Sequence, residues 1–367
     1  MTEVFVNARF LTQPVSGVQR YAHEILRALD ELLAIHPSAP VTAFYPAGAE
    51  VRDPCWRHIR LQGLPGGRGH IWEQGALWRA SRSGLLIGLC NSGPILHRNH
   101  VLALHDANIY AIPNAFSRRY RMFHKMVRPR LARRATRLIT VSNFSAGELA
   151  FYSHLSSSAF HIIPNSAEHV LRCRADPGVL TRRGLEHGQY LLTVGNQSPN
   201  KNIARLIEAH SGCAGLPPLV VVGGATDGLV RTRFRKGPDI HILGRVGDGE
   251  LRTLYEAAMG FIWPSLYEGF GIPPLEAMAL GTPVVASSSS AMPEVLGNAA
   301  MYFDPNDTRD IARTLRDFHL LDDPARARMQ RLGLARSRRF SWAFGAQKLL
   351  HLIADAQTTN PRTLAAE

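Results

Sequence analysis

The sequence is short of lysine, of cysteine and of long apolar runs, and each shortage narrows what the chain can be. Only four of its 42 basic residues are lysine (Lys125, Lys201, Lys236 and Lys348), so arginine carries the formal charge of +13. The four cysteines, Cys55, Cys90, Cys173 and Cys213, stand singly, with no C-x-x-C. In a chain of 367 residues they read as reduced thiols, not as a disulfide framework or a zinc site. Apolar runs such as Leu219–Val222 and Ala257–Trp263 fall far below the ~20 residues that cross a bilayer. Met1-Thr2-Glu3-Val4-Phe5 has no basic start ahead of an apolar stretch, so no secretory leader and a cytoplasmic location are expected.

Several reactive patterns are also missing. His23-Glu24 is not completed to H-E-x-x-H, and neither G-x-x-x-x-G-K-[ST] nor G-x-S-x-G occurs. No D-x-D pair offers to hold a metal. A zinc peptidase, a P-loop NTPase and a serine hydrolase of the nucleophile-elbow type are thereby set aside. The positive charge by itself suits nucleic acid, anionic lipid or phosphorylated substrates equally.

What is present is a chain of ordinary apolar content, 45% hydrophobic and 19% charged, long enough for about two domains. Short apolar runs alternate with helical patterns from end to end, the mark of parallel α/β architecture. Strands are expected at Val4–Val6, Val41–Tyr45, Leu85–Leu89, Val101–Leu104, Leu138–Val141 and Phe160–Ile163. Val18, Tyr21, Ala22, Ile25, Leu26, Leu29, Leu32 and Leu33 recur at three and four, predicting a helix after the loop that ends in Ser16-Gly17. The polar stretch Arg172–His187 reads as a linker. A second set of strands follows at Tyr190–Val194, Leu219–Val222, Ile240–Leu243, Phe261–Trp263, Pro283–Ala286 and Met301–Phe303. The expected organisation is one lobe over 1–175, a second over 185–342, and a closing helix and tail over 343–367.

Ligands of open α/β sheets bind beyond the carboxyl ends of strands, so the loop after Phe261–Trp263 draws notice. There Gly269 and Gly271 permit close backbone approach to a ligand, and Pro273 and Pro274 open a helix that Gly281 ends. Amides at such a helix start favour phosphate or sugar hydroxyls. Glu276 is placed to accept two hydrogen bonds from a diol such as ribose, and Glu268 to do the same for a second polyol. Taken singly, each carboxylate reads equally well as a helix-dipole or solvated residue.

Glu268 and Glu276, with seven residues between them inside EGFGIPPLEAMALGTPVVAS, resemble the signature of glycosyltransferase family 4. Val194–Asn202 resembles that family's phosphate-binding loop, and Leu243-Gly244-Arg245-Val246 its base-contacting turn. Ala291-Met292-Pro293-Glu294-Val295 resembles its next helix, and His105-Asp106 its active-site pair. The resemblance implies a GT-B fold of two facing Rossmann-like lobes with parallel sheets and a C-terminal helix, using nucleotide-activated sugars with retention of configuration. It implies that Glu276 binds ribose, that Glu268 holds a donor-sugar hydroxyl, and that Lys201 neutralises the leaving diphosphate. Amides of Phe270, Gly271 and Ile272 would face the donor, Arg245 and Val246 its base, and Ser16 and Gly17 its diphosphate from the first lobe. His105 would line the donor sugar. Where the family often has arginine, this chain has Asn196, so Arg20, Arg245 or another side chain would have to supply a second cation. A metal-independent reaction with no cofactor beyond the sugar nucleotide is implied.

The expected activity is transfer of a hexose, preferably mannose from GDP-mannose, to a glycan or polyprenyl-diphosphate-linked acceptor in bacterial polysaccharide (lipopolysaccharide-type) synthesis. A UDP-sugar transferase, a GT-B epimerase and a non-catalytic nucleotide-sugar binder are the alternatives. Arg118–Arg137 holds nine cations and no acid, interleaved with Phe116, Tyr120, Phe123, Met126, Val127 and Leu131. Such a stretch suits either an anionic membrane surface at the inner face of the plasma membrane or a solvated lobe helix, and nucleic acid is not the expected partner. Pro129 is expected to break or kink it.

Overall fold

In a computed structural model, which describes residues 3–36, 39–224 and 237–358, the chain divides into two units. Met1–Ala107, Met122–Asn165 and Trp342–Glu367 form the first, and Asn108–Arg121 with Ser166–Ser341 the second. Arg172–His187, read above as the linker, carries the helix Gly178–Arg183 and clusters with the second unit.

The first unit is built on seven parallel strands: β1 (Val4–Asn7), β2 (Val41–Pro46), β3 (Ile59–Leu64), β4 (Leu85–Gly88), β5 (His100–Ala103), β6 (Arg137–Thr140) and β7 (Phe160–Ile162). Their order is β3-β2-β1-β4-β5-β6-β7, with Val4 opposite both Val41 and Leu85. β1 and β4 are buried along their whole length, as near-continuous apolar runs must be when helices cover both faces of a sheet. The strand the sequence did not reveal is β3, an edge strand with one fully buried residue, Ile59. It is placed by a carboxylate: Asp30 accepts from the amides of Arg57, His58 and Ile59 at 2.9, 2.7 and 2.8 Å.

Helix α1 (Gly17–Leu33) buries Tyr21, Ile25 and Leu29 on the stripe its spacing predicts. The terminal helix Trp342–Thr358 packs on it within the same unit, burying Trp342, Ala346, Leu349 and Ile353. Gly345 makes this approach feasible, because a Cβ there would stand 2.8 Å from Ile25 Cδ1. The helix Arg118–Arg134 runs through Pro129 without ending. Proline removes one amide donor, and at five residues from the C-terminus the remaining ladder continues, so the expected break does not occur.

The second unit carries six parallel strands: β8 (Leu191–Val194), β9 (Leu219–Val222), β10 (Ile240–Gly244), β11 (Gly260–Trp263), β12 (Val284–Ser287) and β13 (Ala300–Phe303). Their order is β10-β9-β8-β11-β12-β13. Leu191, Leu219, Ile262, Val285 and Phe303 meet Leu206, Leu315 and Phe318 from the covering helices in one core. Strand order reverses between β8 and β11, so their carboxyl-end loops diverge and leave a crevice there. Among the described residues, no helix is long and apolar enough to cross a membrane.

Candidate active site

The loops after β8 and β11 are tied together at this reversal. Leu266 donates its amide to Asn200 O at 2.8 Å, and Ser265 Oγ lies 2.9 Å from the same carbonyl. Between them, Lys201 donates to Glu268 Oε1 at 2.6 Å, with its ammonium 4.8 Å from the centre of the Trp263 ring. Both side chains are mostly buried, 19% and 15% exposed. Ser265 Oγ also contacts Glu268 Oε1, and Ser290 Oγ accepts from the Glu268 amide at 3.0 Å. Two residues 67 apart in sequence thus form one ion pair, fixed from three sides. Asn196 acts within its own loop, where its Oδ1 accepts from the Ser198 amide at 3.1 Å in an Asx turn.

The segment after Glu268 turns sharply. Gly271 has φ +95° and caps the helix Ile272–Ala279, with Pro273 and Pro274 in its first turn. Because the prolines have no N–H, Gly271 and Ile272 are the amides this helix start presents. The Phe270 side chain faces inward, 4% exposed and edge-on to Phe340 at 5.3 Å. Only its backbone is left for a ligand.

Glu276, one turn into that helix, is 9% exposed. Its Oε1 lies 2.6 Å from His169 Nε2, and its Oε2 accepts from Tyr255 OH at 3.0 Å. Burial, and then the Glu276 charge, hold the Tyr255 hydroxyl well above its ordinary pKa, so it stays a donor. A carboxylate offers about four lone-pair positions, so two fixed donors leave acceptor capacity. Neither His169 nor Tyr255 was singled out from sequence; at 107 and 21 residues from Glu276, no local pattern connects them. Arg245 and Val246 follow β10, the edge strand. A Cβ on Gly224 would lie 3.2 Å from Arg245 Cγ, which places the arginine stem over the loop after β9.

Ser16, Gly17 and His105 belong to the first unit. Ser16 is the extended residue before α1, exposed, with its hydroxyl on the Gln19 side chain and not on the helix amides. His105 follows β5, buried, with Nε2 2.8 Å from Leu89 O and its ring edge-on to Tyr21 at 4.8 Å. Burial lowers its pKa to about 4, against the opposing pull of the Leu89 bond. It is therefore neutral at pH 7, and because a carbonyl only accepts, Nε2 carries the proton and Nδ1 is the acceptor. The strand order of this sheet reverses between β1 and β4. There Asn7, Arg9, Ser92 and His70 converge on the buried Glu73 carboxylate at 2.9, 2.9, 2.7 and 2.7 Å. No pattern in the sequence marks this cluster either.

Residues 188–320, which hold β8, the paired Lys201 and Glu268, and Glu276, match the model of the family described as glycosyl transferases group 1. The chain is a glycosyltransferase. The O-antigen chain mannosyltransferase B of Escherichia coli is 29% identical to this glycosyltransferase, over 90% of this chain and 93% of its own. The O-antigen chain mannosyltransferase RfbU of Salmonella typhimurium is 28% identical, over 69% and 72% of the two chains. Among solved structures, Anabaena Alr3699/HepE in complex with UDP and glucose superposes with a TM-score of 0.73 at 17% identity, covering 97% of this chain and 100% of that one. Two parallel-sheet Rossmann-like units make the transferase a GT-B protein, as its resemblance to family 4 implied.

Proposed function

We propose that this transferase moves mannose from GDP-mannose, with retention at the anomeric carbon, onto a glycan or polyprenyl-diphosphate-linked saccharide in bacterial polysaccharide synthesis. The observation that carries the reading is the similarity to an O-antigen chain mannosyltransferase across nine-tenths of the chain. In this scheme the donor's ribose hydroxyls bond to the free lone pairs of Glu276, whose carboxylate His169 and Tyr255 hold in place. Lys201 has three N–H donors, of which Glu268 takes one, so the others serve the leaving diphosphate. The Gly271 and Ile272 amides add to that stabilisation where negative charge develops. Glu268 accepts from a donor-sugar hydroxyl. The neutral His105 positions the sugar by hydrogen bonding, and the acceptor hydroxyl enters on the face that the diphosphate leaves, giving its proton to the departing phosphate oxygen as the new glycosidic bond forms and the sugar–phosphate bond breaks. The nucleotide diphosphate sugar is the only co-substrate in this scheme, and the reaction needs no metal.

The test is a panel of GDP-mannose and UDP-sugars with purified protein, with and without a lipid extract from a polysaccharide-producing bacterium. Acceptor-dependent release of GDP with an α-configured mannosyl product supports the proposal. Turnover of UDP-glucose instead replaces the donor assignment. Isomerised donor without acceptor makes the protein an epimerase and removes the transfer reading.

A further inference from the structure

The turn Glu268–Gly271, which brings the amides of Gly271 and Ile272 to the start of their helix, is held between two walls. On one side stands the helix Met292–Leu296. Ser290, just before it, accepts from the Glu268 amide at 3.0 Å. The buried Met292 fills the space beside Gly271, where a Cβ would lie 2.5 Å from its Cε. On the other side the Phe340 ring stands edge-on to Phe270 at 5.3 Å. The Phe340 main chain is fixed at both ends, its amide donating to Ser337 O at 3.2 Å and its carbonyl accepting from Ser166 Oγ at 2.9 Å.

Arg336 touches both walls. It lies in the last turn of the helix Asp323–Ser337, partly buried, and donates from Nε to Val295 O at 2.7 Å and from Nη2 to Glu294 O. Its Cζ lies 5.4 Å from the centre of the Phe340 ring. Both carbonyls belong to the final turn of a five-residue helix, where the helix itself supplies no donor for them. So short a helix does not hold its own place, and outside contacts must fix it. The helix that carries Arg336 also comes close to the helix Ile272–Ala279, since a Cβ on Gly333 would lie 3.2 Å from Met278 Cγ. A guanidinium suits this position because it is planar: its edge donates to two carbonyls while its face covers a ring. An ammonium has no such face.

We propose that Arg336 is a positioning residue for glycosyl transfer. By holding the Met292 wall and the Phe340 wall at a fixed separation, it sets where the Gly271 and Ile272 amides stand as negative charge develops on the departing diphosphate. The inference rests on the reading that these amides face the donor. It adds that their placement is decided from another helix, by a side chain that acts through Met292 and Phe340.

The experiment is steady-state release of nucleotide diphosphate by the full chain from GDP-mannose and from UDP-glucose, with the lipid extract as acceptor. The parent identifies the donor, so a failure of the GDP-mannose assignment shows there, and the variants are compared on whichever donor the parent uses. Arg336→Lys keeps the charge and loses the planar fork. Its kcat is expected to fall about 30-fold, within the roughly 10²-fold that a misplacement of about 1 Å costs. The donor KM should stay within about threefold of the parent value, because the effect falls on the transition state. Phe340→Leu should lower kcat to a similar extent. The double variant should lose no more than the worse single one, because both side chains act through one chain of contacts. Millimolar guanidinium should restore part of the turnover of Arg336→Ala, a rescue that a general loss of folding would not show. Arg331→Lys, exposed on the same helix, is the control that should change nothing. Melting temperatures establish that each variant is folded at the assay temperature. Unchanged kcat in folded Arg336→Lys and Phe340→Leu overturns the inference. A raised KM with kcat intact overturns it too, by assigning Arg336 to ground-state binding. Losses that add fully in the double variant do the same, since the two side chains would then be independent parts of the core.

Discussion

Lys201 and Glu268 are joined by a 2.6 Å hydrogen bond that links the loop after β8 to the loop after β11, across the reversal of strand order. The Lys201 ammonium lies over the Trp263 ring and the pair is largely shielded from water, so its charges act at greater strength than surface charges would. Lys201→Met keeps the stem and removes the charge. Turnover is expected to fall about 10²- to 10³-fold, the scale found for loss of one preorganised stabilising donor. The donor KM should change much less. Steady-state release of nucleotide diphosphate checks this; a KM effect with unchanged kcat would reassign Lys201 to ground-state binding.

Glu276 makes its contribution through two buried partners. Tyr255→Phe removes the donor to Oε2 and leaves His169 on Oε1. Loss of one such bond to a buried carboxylate should cost about 1–3 kcal/mol of folding stability. Donor affinity should weaken only modestly, because the carboxylate remains and keeps one anchor. Glu276→Ala should weaken donor affinity more than it alters kcat, since a ribose contact is similar in ground and transition states. Calorimetric titration with the donor nucleotide separates the two variants; equal affinity in parent and Glu276→Ala removes the ribose assignment.

The contrast between Glu268 and His169 explains what sequence could and could not reveal. Strands with apolar runs were readable because both sheets are covered on both faces, which turns each strand into an unbroken hydrophobic word. Glu268, Gly271 and Glu276 were readable because the turn and the helix start that hold them are local, and glycine and proline mark such points. His169 is aligned to Glu276 by packing of the short helix Glu168–Arg172 against the helix Ile272–Ala279, and spacing along the chain does not encode that. Strand β3 escaped for a related reason. Its register depends on Asp30, a helix residue 29 positions before Ile59, and its own apolar signal is weak. Glu73 reads as one more acid on a helix until Asn7, Arg9 and Ser92 are brought to it.

The first unit should be labile to acid. Burial lowers the pKa of His100 to about 3 and of His105 to about 4, so both fold as neutral rings. His100 faces His97 and Glu73, and His105 faces Arg128. In the unfolded chain each binds a proton near pH 6.5, so the unfolded state takes up more protons as pH falls below that value. Stability is therefore fully present above about pH 6.5 and declines toward about pH 4. At about pH 5 each histidine accounts for about 2 kcal/mol of the loss. Glu73, held near 2 by His70, Arg9 and Ser92 against the opposing effect of burial, adds a further loss from about pH 4.5 downward. Urea midpoints between about pH 7 and pH 4.5 measure the slope, and His100→Leu should flatten it. A midpoint independent of pH over that range would mean that these rings are protonated in the folded protein.

Gly271 and Gly281 bracket the helix Ile272–Ala279 and both have positive φ, +95° and +80°. They differ in what surrounds them. A Cβ at Gly281 would meet nothing within 4 Å, whereas at Gly271 it would lie 2.5 Å from Met292 Cε. Alanine at Gly281 should therefore cost only the left-handed backbone penalty, about 1–2 kcal/mol. Alanine at Gly271 incurs the same penalty and must also displace the Met292 methyl, the far end of a flexible side chain. The added stability cost should be small for that reason. The functional cost should be larger, because the shift occurs at the amides that the helix start presents, where a displacement of about 1 Å can cost 10²-fold in rate. Thermal melts of the two variants should lie close together while their turnover differs widely. If Gly281→Ala loses as much activity as Gly271→Ala, the helix as a whole has moved, and the turn at Gly271 has no special part in binding the donor.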